Sequence, residues 1–169
     1  MITHPECWIE GDTQLCVRAI QPDDAERLER MFFRLSPETV YRRFFSPITR
    51  PPRKMLAWLS NVDHDRREAL VALDGDEIVA VARYDGRADS HDAEIAVTVE
   101  DTWQHRGIGI RLGRRLAAEA MSHGYERFVA TMLAENRPAV GLMRKLSPEA
   151  KIWFEDGGYA AAIPLAEAS

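Results

Sequence analysis

The chain lacks several things that would each have named a function class. Its 169 residues contain only two cysteines, Cys7 and Cys16. His64 lies between Asp63 and Asp65, but nothing else supplies a ligand set, and no metal is expected. No apolar run approaches membrane-spanning length. The first residues are polar and do not resemble a signal peptide, so a cytoplasmic protein without membrane association is expected. In that compartment the two cysteines would stay reduced, as structural thiols. Basic residues are not in excess: the net charge is −5, which argues against a nucleic-acid partner. There is no repeat, no low-complexity tract and no interior linker.

What is present is ordinary globular composition, 46% hydrophobic and 29% charged, in a length suited to one domain spanning 1–169. The most informative stretch runs from 93 to 111. Ala93, Ile95, Val97 and Val99 alternate with Glu94, Ala96 and Thr98, the period of a strand. From Ile108 the period changes: Ile108, Leu112, Leu116 and Ala120 form an apolar helix stripe. Between them lies Gln104-His105-Arg106-Gly107-Ile108-Gly109. Two glycines one residue apart let backbone approach a ligand closely. The free N–H groups of the following helix start favour an anion, most naturally phosphate. A dinucleotide-binding fingerprint does not fit: Gly107, Gly109 and Gly113 give the wrong spacing. The P-loop lysine is also missing.

The rest of the chain falls into short elements. Strands are expected at 7–10 and 15–20, around Gly11-Asp12. A helix follows Pro22, with Ala25, Leu28, Met31, Phe32 and Leu35 on one face. A second starts at Ser36-Pro37 with Ser36 as N-cap, its stripe being Val40, Tyr41, Phe44 and Phe45. A third carries Met55, Leu56 and Leu59. Two strands, 68–73 and 77–84, meet at Asp74-Gly75-Asp76. After the central strand and helix come a strand at 128–133, a helix capped by Asn136, and strands at 152–154 and 159–165. In that helix Ala139, Leu142, Met143 and Leu146 should face inward. Residues 166–169 should form a loose tail. The order β-β-α-α-α-β-β-β-α-β-α-β-β predicts an α/β fold with a mixed central sheet flanked by helices.

Three segments together resemble the GNAT superfamily of acyl-CoA-dependent N-acetyltransferases. They are Q-x-x-G-x-G from Gln104 to Gly109, Ala134-Glu135-Asn136-Arg137-Pro138 downstream, and upstream the segment from Ser36 to Ser46. The last is similar to the bacterial protein-lysine acetyltransferase branch. The resemblance covers roughly residues 15 to 165. It implies a V-shaped acyl-CoA cleft between the strands at 93–99 and 128–133. It also implies acetyl-CoA as co-substrate, bound through backbone at Val97, Thr98 and Val99 and through Gln104, His105, Arg106, Gly107, Ile108, Gly109 and Ile110. Asn136 would reach the CoA arm or serve only as a helix cap. Arg106 or Arg111 could add charge near the phosphates.

Transfer to an amine needs a neutral nucleophile. A lysine amine, with a pKa of about 10.4, costs roughly 4.6 kcal/mol to deprotonate at neutral pH. Glu94 is the candidate general base, held in an apolar cleft. The resemblance gives a glutamate at this position that role; otherwise it is a solvated strand residue. Glu100 and Asp101 are expected to begin the loop. Many relatives carry a tyrosine as general acid where this chain has Met143, so no acid is assigned. The acceptor is expected to be protein lysine. The alternatives are a small amine, or an acyl-CoA-binding regulatory module without turnover. The oligomeric state, monomer or dimer, stays open.

Overall fold

The computed structural model describes residues 4–166. The tail expected at 166–169 lies almost wholly outside them. Strands β1 (Glu6–Glu10) and β2 (Thr13–Ala19) form the first hairpin. Helices α1 (Ala25–Arg34), α2 (Pro37–Phe44) and α3 (Arg53–Ser60) follow. Next come β3 (Arg67–Asp74), β4 (Glu77–Gly86) and β5 (Asp92–Val99), then α4 (Ile108–Ser122), β6 (Arg127–Leu133), α5 (Arg137–Leu146), β7 (Lys151–Glu155) and β8 (Gly158–Pro164). This is the expected order, with short 3-10 turns added at Pro22–Asp24 and Asp101–Trp103.

All eight strands join one mixed sheet in the order β1-β2-β3-β4-β5-β6-β8-β7. Every pairing is antiparallel except β5 with β6. Helices cover both faces, so β3 and β4 are buried on both sides and lose the alternation of a half-exposed strand. One core layer lies under α4 and α5: Leu15, Tyr84, Ile95, Leu112, Leu116, Phe128 and Ile163. The other lies under α1 and α3: Ile20, Leu28, Met31, Leu56, Val71 and Ile78. The α4 stripe is as read from the period, with Ile108 at 2% exposure and Leu112, Leu116 and Ala120 at 0%. Gly113 serves packing. A Cβ there would stand 2.7 Å from Leu146 Cδ2, so its absence lets α5 close onto α4.

Two expectations need correction. Cys7 and Cys16 oppose each other across the hairpin and are joined as a disulfide. The turn at Gly11-Asp12 sets the register that brings the thiols together, so they are not free. The α2 stripe is only partly inward: Val40 is buried, but Tyr41 and Phe45 are 42% and 48% exposed. This helix has eight residues and lies over the end of β5 rather than on a full core. Phe44 leans on Phe32, with ring centroids 6.2 Å apart, while Phe45 turns out at the left-handed C-cap.

Candidate active site

The parallel strands β5 and β6 pair over only three positions, ending at Glu94↔Val129. Beyond that point they diverge. β5 stays paired with β4 through Val99, and β6 stays paired with β8 through Leu133. Each therefore turns one unpaired edge toward the other. Unpaired backbone N–H and C=O groups facing a cleft need partners, and an amide-bearing ligand can supply them. The cleft between these edges has a volume of about 390 Å³, within the range of ligand sites.

At one end stands the turn into α4. His105 and Gly107 both take left-handed backbone, φ 61° and 78°. These two reversals turn the chain so that the first N–H groups of α4 face the cleft. Gly107 is the helix N-cap and lends no side chain to it. The turn is braced from behind. Gln104 Nε2 donates to Val99 O at 3.0 Å. The Asp101 carboxylate accepts from Ser36 N at 2.9 Å, Ser36 Oγ at 2.7 Å and Thr39 Oγ1 at 3.0 Å. Burial alone would raise the Asp101 carboxyl, but these bonds hold it below its ordinary value. The start of α2 is thus tied to the turn that precedes α4. Ser36 also caps α2 as expected, accepting from Thr39 N at 3.1 Å.

Of the residues singled out from the sequence, Glu94, Val97, Thr98, Val99, Gln104, His105, Gly107, Ile108, Gly109, Ile110 and Asn136 line the cleft. Arg106 is not among the lining residues: its guanidinium stacks 4.9 Å over the Trp103 ring. Arg111 is likewise drawn away, 4.5 Å over Trp8 of the first hairpin. Asn136 caps α5, accepting from Ala139 N at 3.3 Å, and lines the cleft as well. Glu100 is buried against Arg34, 3.1 Å from its Nε.

Glu94 occupies the point where the strands part, but it is exposed rather than held in a dry cleft. Its neighbours on the same face are Ala96 and Thr98 along β5 and Asp85 across on β4. From above, α2 contributes Thr39, Arg42, Arg43 and Phe45 to the cleft wall, and Thr131 and Lys145 complete it. Thr131 and Lys145 carried no signal of their own, because each belongs to an element whose register against β5 is set by tertiary packing. Burial lowers the Arg43 guanidinium below its usual value, and the nearby charge of Glu94 pulls the other way. Met143 is buried at 3% exposure and contributes only apolar wall.

The Acetyltransferase (GNAT) family model matches residues 27–147. The chain belongs to the GNAT acetyltransferase family. It is 35% identical over 145 residues to acetyltransferase Pat of Mycolicibacterium smegmatis, covering 83% of this chain and 42% of that protein. The chain thus spans less than half the length of that GNAT relative. It is 30% identical over 137 residues to an acetyltransferase of Pseudomonas aeruginosa, covering 77% of this chain and 74% of the other. The crystal structure of the GNAT domain of S. lividans PAT superposes with a TM-score of 0.87 at 30% identity, covering 95% of this chain and 97% of that one. No helix among the described residues is long and apolar enough to cross a membrane.

Proposed function

We propose that this GNAT chain transfers acetyl from acetyl-CoA to lysine side chains of partner proteins, with Glu94 as general base. The observation that carries the reading is the pair of unpaired edges beyond Glu94↔Val129, with a helix N-terminus at one end and a carboxylate at the fork. The pyrophosphate lies against the N–H groups at Ile108, Gly109 and Ile110, where the dipole of α4 favours negative charge. The pantetheine amides pair with the free edge at Val97, Thr98 and Val99. A backbone N–H of that edge polarises the thioester carbonyl. Lys145, exposed on the cleft wall, adds a positive charge along the CoA arm.

Glu94, in contact with solvent, takes the amine proton directly or through a water. The amine nitrogen attacks the thioester carbon, the carbon–sulfur bond breaks, and CoA leaves as thiolate. No tyrosine lines the cleft, so the departing thiolate takes its proton from solvent. A thiol pKa of about 8.5 makes it a fair leaving group without help.

A protein acceptor is favoured by the open setting of Glu94 and by exposed aromatics on α2, at its C-cap and on α3. Tyr41, Phe45 and Trp58 are 42%, 48% and 52% exposed. A small-amine enzyme would enclose its acceptor more fully. The test incubates the protein with labelled acetyl-CoA, a lysate of its source organism and a panel of polyamines, aminoglycosides and amino acids. Label on protein lysine supports the reading. Label on small amines alone rejects the protein acceptor, and label nowhere, with acetyl-CoA still bound, favours a binding module.

A further inference from the structure

A second, smaller hollow of about 50 Å³ adjoins the cleft and shares three lining residues with it: Arg43, Ala96 and Thr98. Ala96 and Thr98 belong to the strand edge along which the proposed function lays the thioester, so the hollow opens where an acyl chain would point. Its wall is otherwise apolar, with Met31, Phe32, Leu56 and Val81. The exceptions are two arginines. Arg83 faces Ala96 across the β4–β5 ladder and is 8% exposed. It donates one hydrogen bond, Nη2 to Leu59 O at 3.0 Å. Arg43 makes no hydrogen bond or ion pair among the described residues, and its Cζ lies 4.9 Å from the Phe44 ring centroid.

No carboxylate among the described residues lines the hollow: Glu94 acts on Arg43 from the cleft side and Asp85 acts on Arg83 through its charge alone, so two guanidiniums sharing this apolar wall is an unfavourable arrangement. The Arg83 guanidinium is pushed down to about 9 by burial, then by the charges of Arg43 and Arg67. An anion entering the hollow would relieve both. A cavity of this size holds roughly three to five water-sized groups at about 10–15 Å³ each, a range that includes a carboxylate with one or two methylenes.

We propose that the hollow is an acyl subsite for a short dicarboxylic donor, malonyl- or succinyl-CoA, whose free carboxylate lies between Arg43 and Arg83. This rests on the acyl-transfer reading above and extends the donor beyond acetyl. Chemistry at the thioester is unchanged. The amine nitrogen attacks the carbonyl carbon, its proton passes to Glu94 or water, the carbon–sulfur bond breaks, and CoA thiolate is protonated by solvent. The new amide retains the free carboxylate. Acetyl and propionyl groups leave the arginines unpaired, and a site built around a polar partner discriminates against analogues lacking it. Bidentate arginine geometry suits a carboxylate.

The test is calorimetry on the full chain with acetyl-, propionyl-, malonyl- and succinyl-CoA, followed by thiol-release assays with a lysine peptide. The expected result is that malonyl- or succinyl-CoA binds at least tenfold more tightly than propionyl-CoA. Arg43→Met and Arg83→Met should each cut that ratio below threefold. Arg83 also caps α3, so thermal melts accompany it, and Arg43→Met, which removes no hydrogen bond, tests the idea if the Arg83 variant does not fold. A ratio near one in the wild type overturns the subsite while leaving acetyl transfer standing. So does a ratio that survives Arg43→Met. A variant that discriminates acidic from neutral acceptor peptides instead of donors assigns the hollow to the acceptor and overturns it. Failure of every acyl-CoA to bind overturns both readings.

Discussion

Asp85 stands directly opposite Glu94 in the β4–β5 ladder, so two carboxylates share one face of the sheet at the fork. Like charges placed opposite each other in a sheet are destabilising by about 0.2–1 kcal/mol. Arg67 answers part of this, 3.6 Å from Asp85 Oδ2, and the charge of Glu94 acts on the Arg43 guanidinium. A pair retained at a cost to stability suits a site that receives a cation.

Glu94→Gln keeps the side-chain shape and removes the proton acceptor. Turnover should fall by about two orders of magnitude, with acetyl-CoA affinity held. The melting temperature should hold or rise, because one member of the like-charged pair is gone. Steady-state rates, calorimetry and a thermal melt check the three parts. Near wild-type turnover at neutral pH would return Glu94 to a solvated strand residue.

The glycine turn gives a graded test. A Cβ at Gly109 would stand 3.6 Å from Leu142 Cδ2, Val97 Cγ1 and Val99 Cγ2. A methyl therefore fits, and Gly109→Ala should fold with little change. Gly109→Val adds branches that push on Val97 and Leu142, the two sides of the cleft floor. Acetyl-CoA should then bind at least tenfold more weakly, about 1.4 kcal/mol. At Gly107 a Cβ would make only ordinary contact, 3.9 Å from Ile110 Cγ2, but φ is 78°. There even alanine should cost about 1–2 kcal/mol of stability. Calorimetry and melts on the three variants distinguish close approach from backbone strain; unchanged affinity in a folded Gly109→Val would reject the first.

Much of this site could be read before any coordinates. The alternation through Ala93, Ile95, Val97 and Val99 fixed which face carries Glu94, and a period-2 pattern leaves no other choice once one face is buried. The four-residue steps from Ile108 to Ala120 placed the helix start beside that strand. What sequence could not supply were cross-element distances. Arg106 and Arg111 looked equally suited to phosphate, yet each has an indole within reach and stacks on it. Arg43 and Arg83 lie forty residues apart in sequence and meet only because α2 and β4 both flank β5. The strands expected around Gly11-Asp12 put Cys7 and Cys16 on the two arms of one hairpin, but the compartment argument for reduced thiols outweighs hairpin geometry when only sequence is in hand.

Asp24 ties the first hairpin to the helices and sets an acid limit on the fold. Its carboxylate is 0% exposed and accepts from Arg18 at 2.7 and 2.8 Å and from Gln21 N at 2.8 Å. Burial alone would raise this carboxyl, but the Arg18 and Gln21 bonds outweigh it and the net shift is downward. A group depressed in the folded state contributes stability that is present above its unfolded pKa of about 3.9 and is lost as pH falls through the lower folded value. Denaturant midpoints should therefore fall as pH drops below about 4. Asp24→Ala should cost about 3–5 kcal/mol at neutral pH, since it strands the Arg18 charge. That variant should also flatten the acid dependence; an equally steep loss without Asp24 would assign it to other carboxylates.

An acceptor lysine is attracted by carboxylates that keep their charge in solvent. Asp63, in the same loop as Asp65, is engaged: its Oδ1 accepts from Asp65 N at 3.0 Å and Arg67 N at 2.8 Å. It holds the loop before β3 in shape, and Asp63→Asn would disturb that loop rather than report on steering. Asp65 is exposed, and Asp85 keeps 49% of its side-chain surface in solvent. Both lie at the Glu94 end of the sheet: Asp85 is the ladder partner of Glu94, and Asp65 O accepts from the hydroxyl of Tyr84, the neighbour of Asp85, at 2.9 Å. The double variant Asp65→Asn with Asp85→Asn should raise the acceptor KM several-fold while lowering kcat by less than twofold, the pattern of lost binding rather than lost transition-state contact. Raising ionic strength toward 1 M, where the Debye length falls to about 3 Å, should raise the wild-type KM and leave the variant nearly flat. A protein acceptor should show this more strongly than a single lysine amide, because its charged surface is steered as a whole. Equal salt dependence in wild type and variant would remove these aspartates from acceptor capture and leave Glu94 as the only carboxylate with a role at the fork.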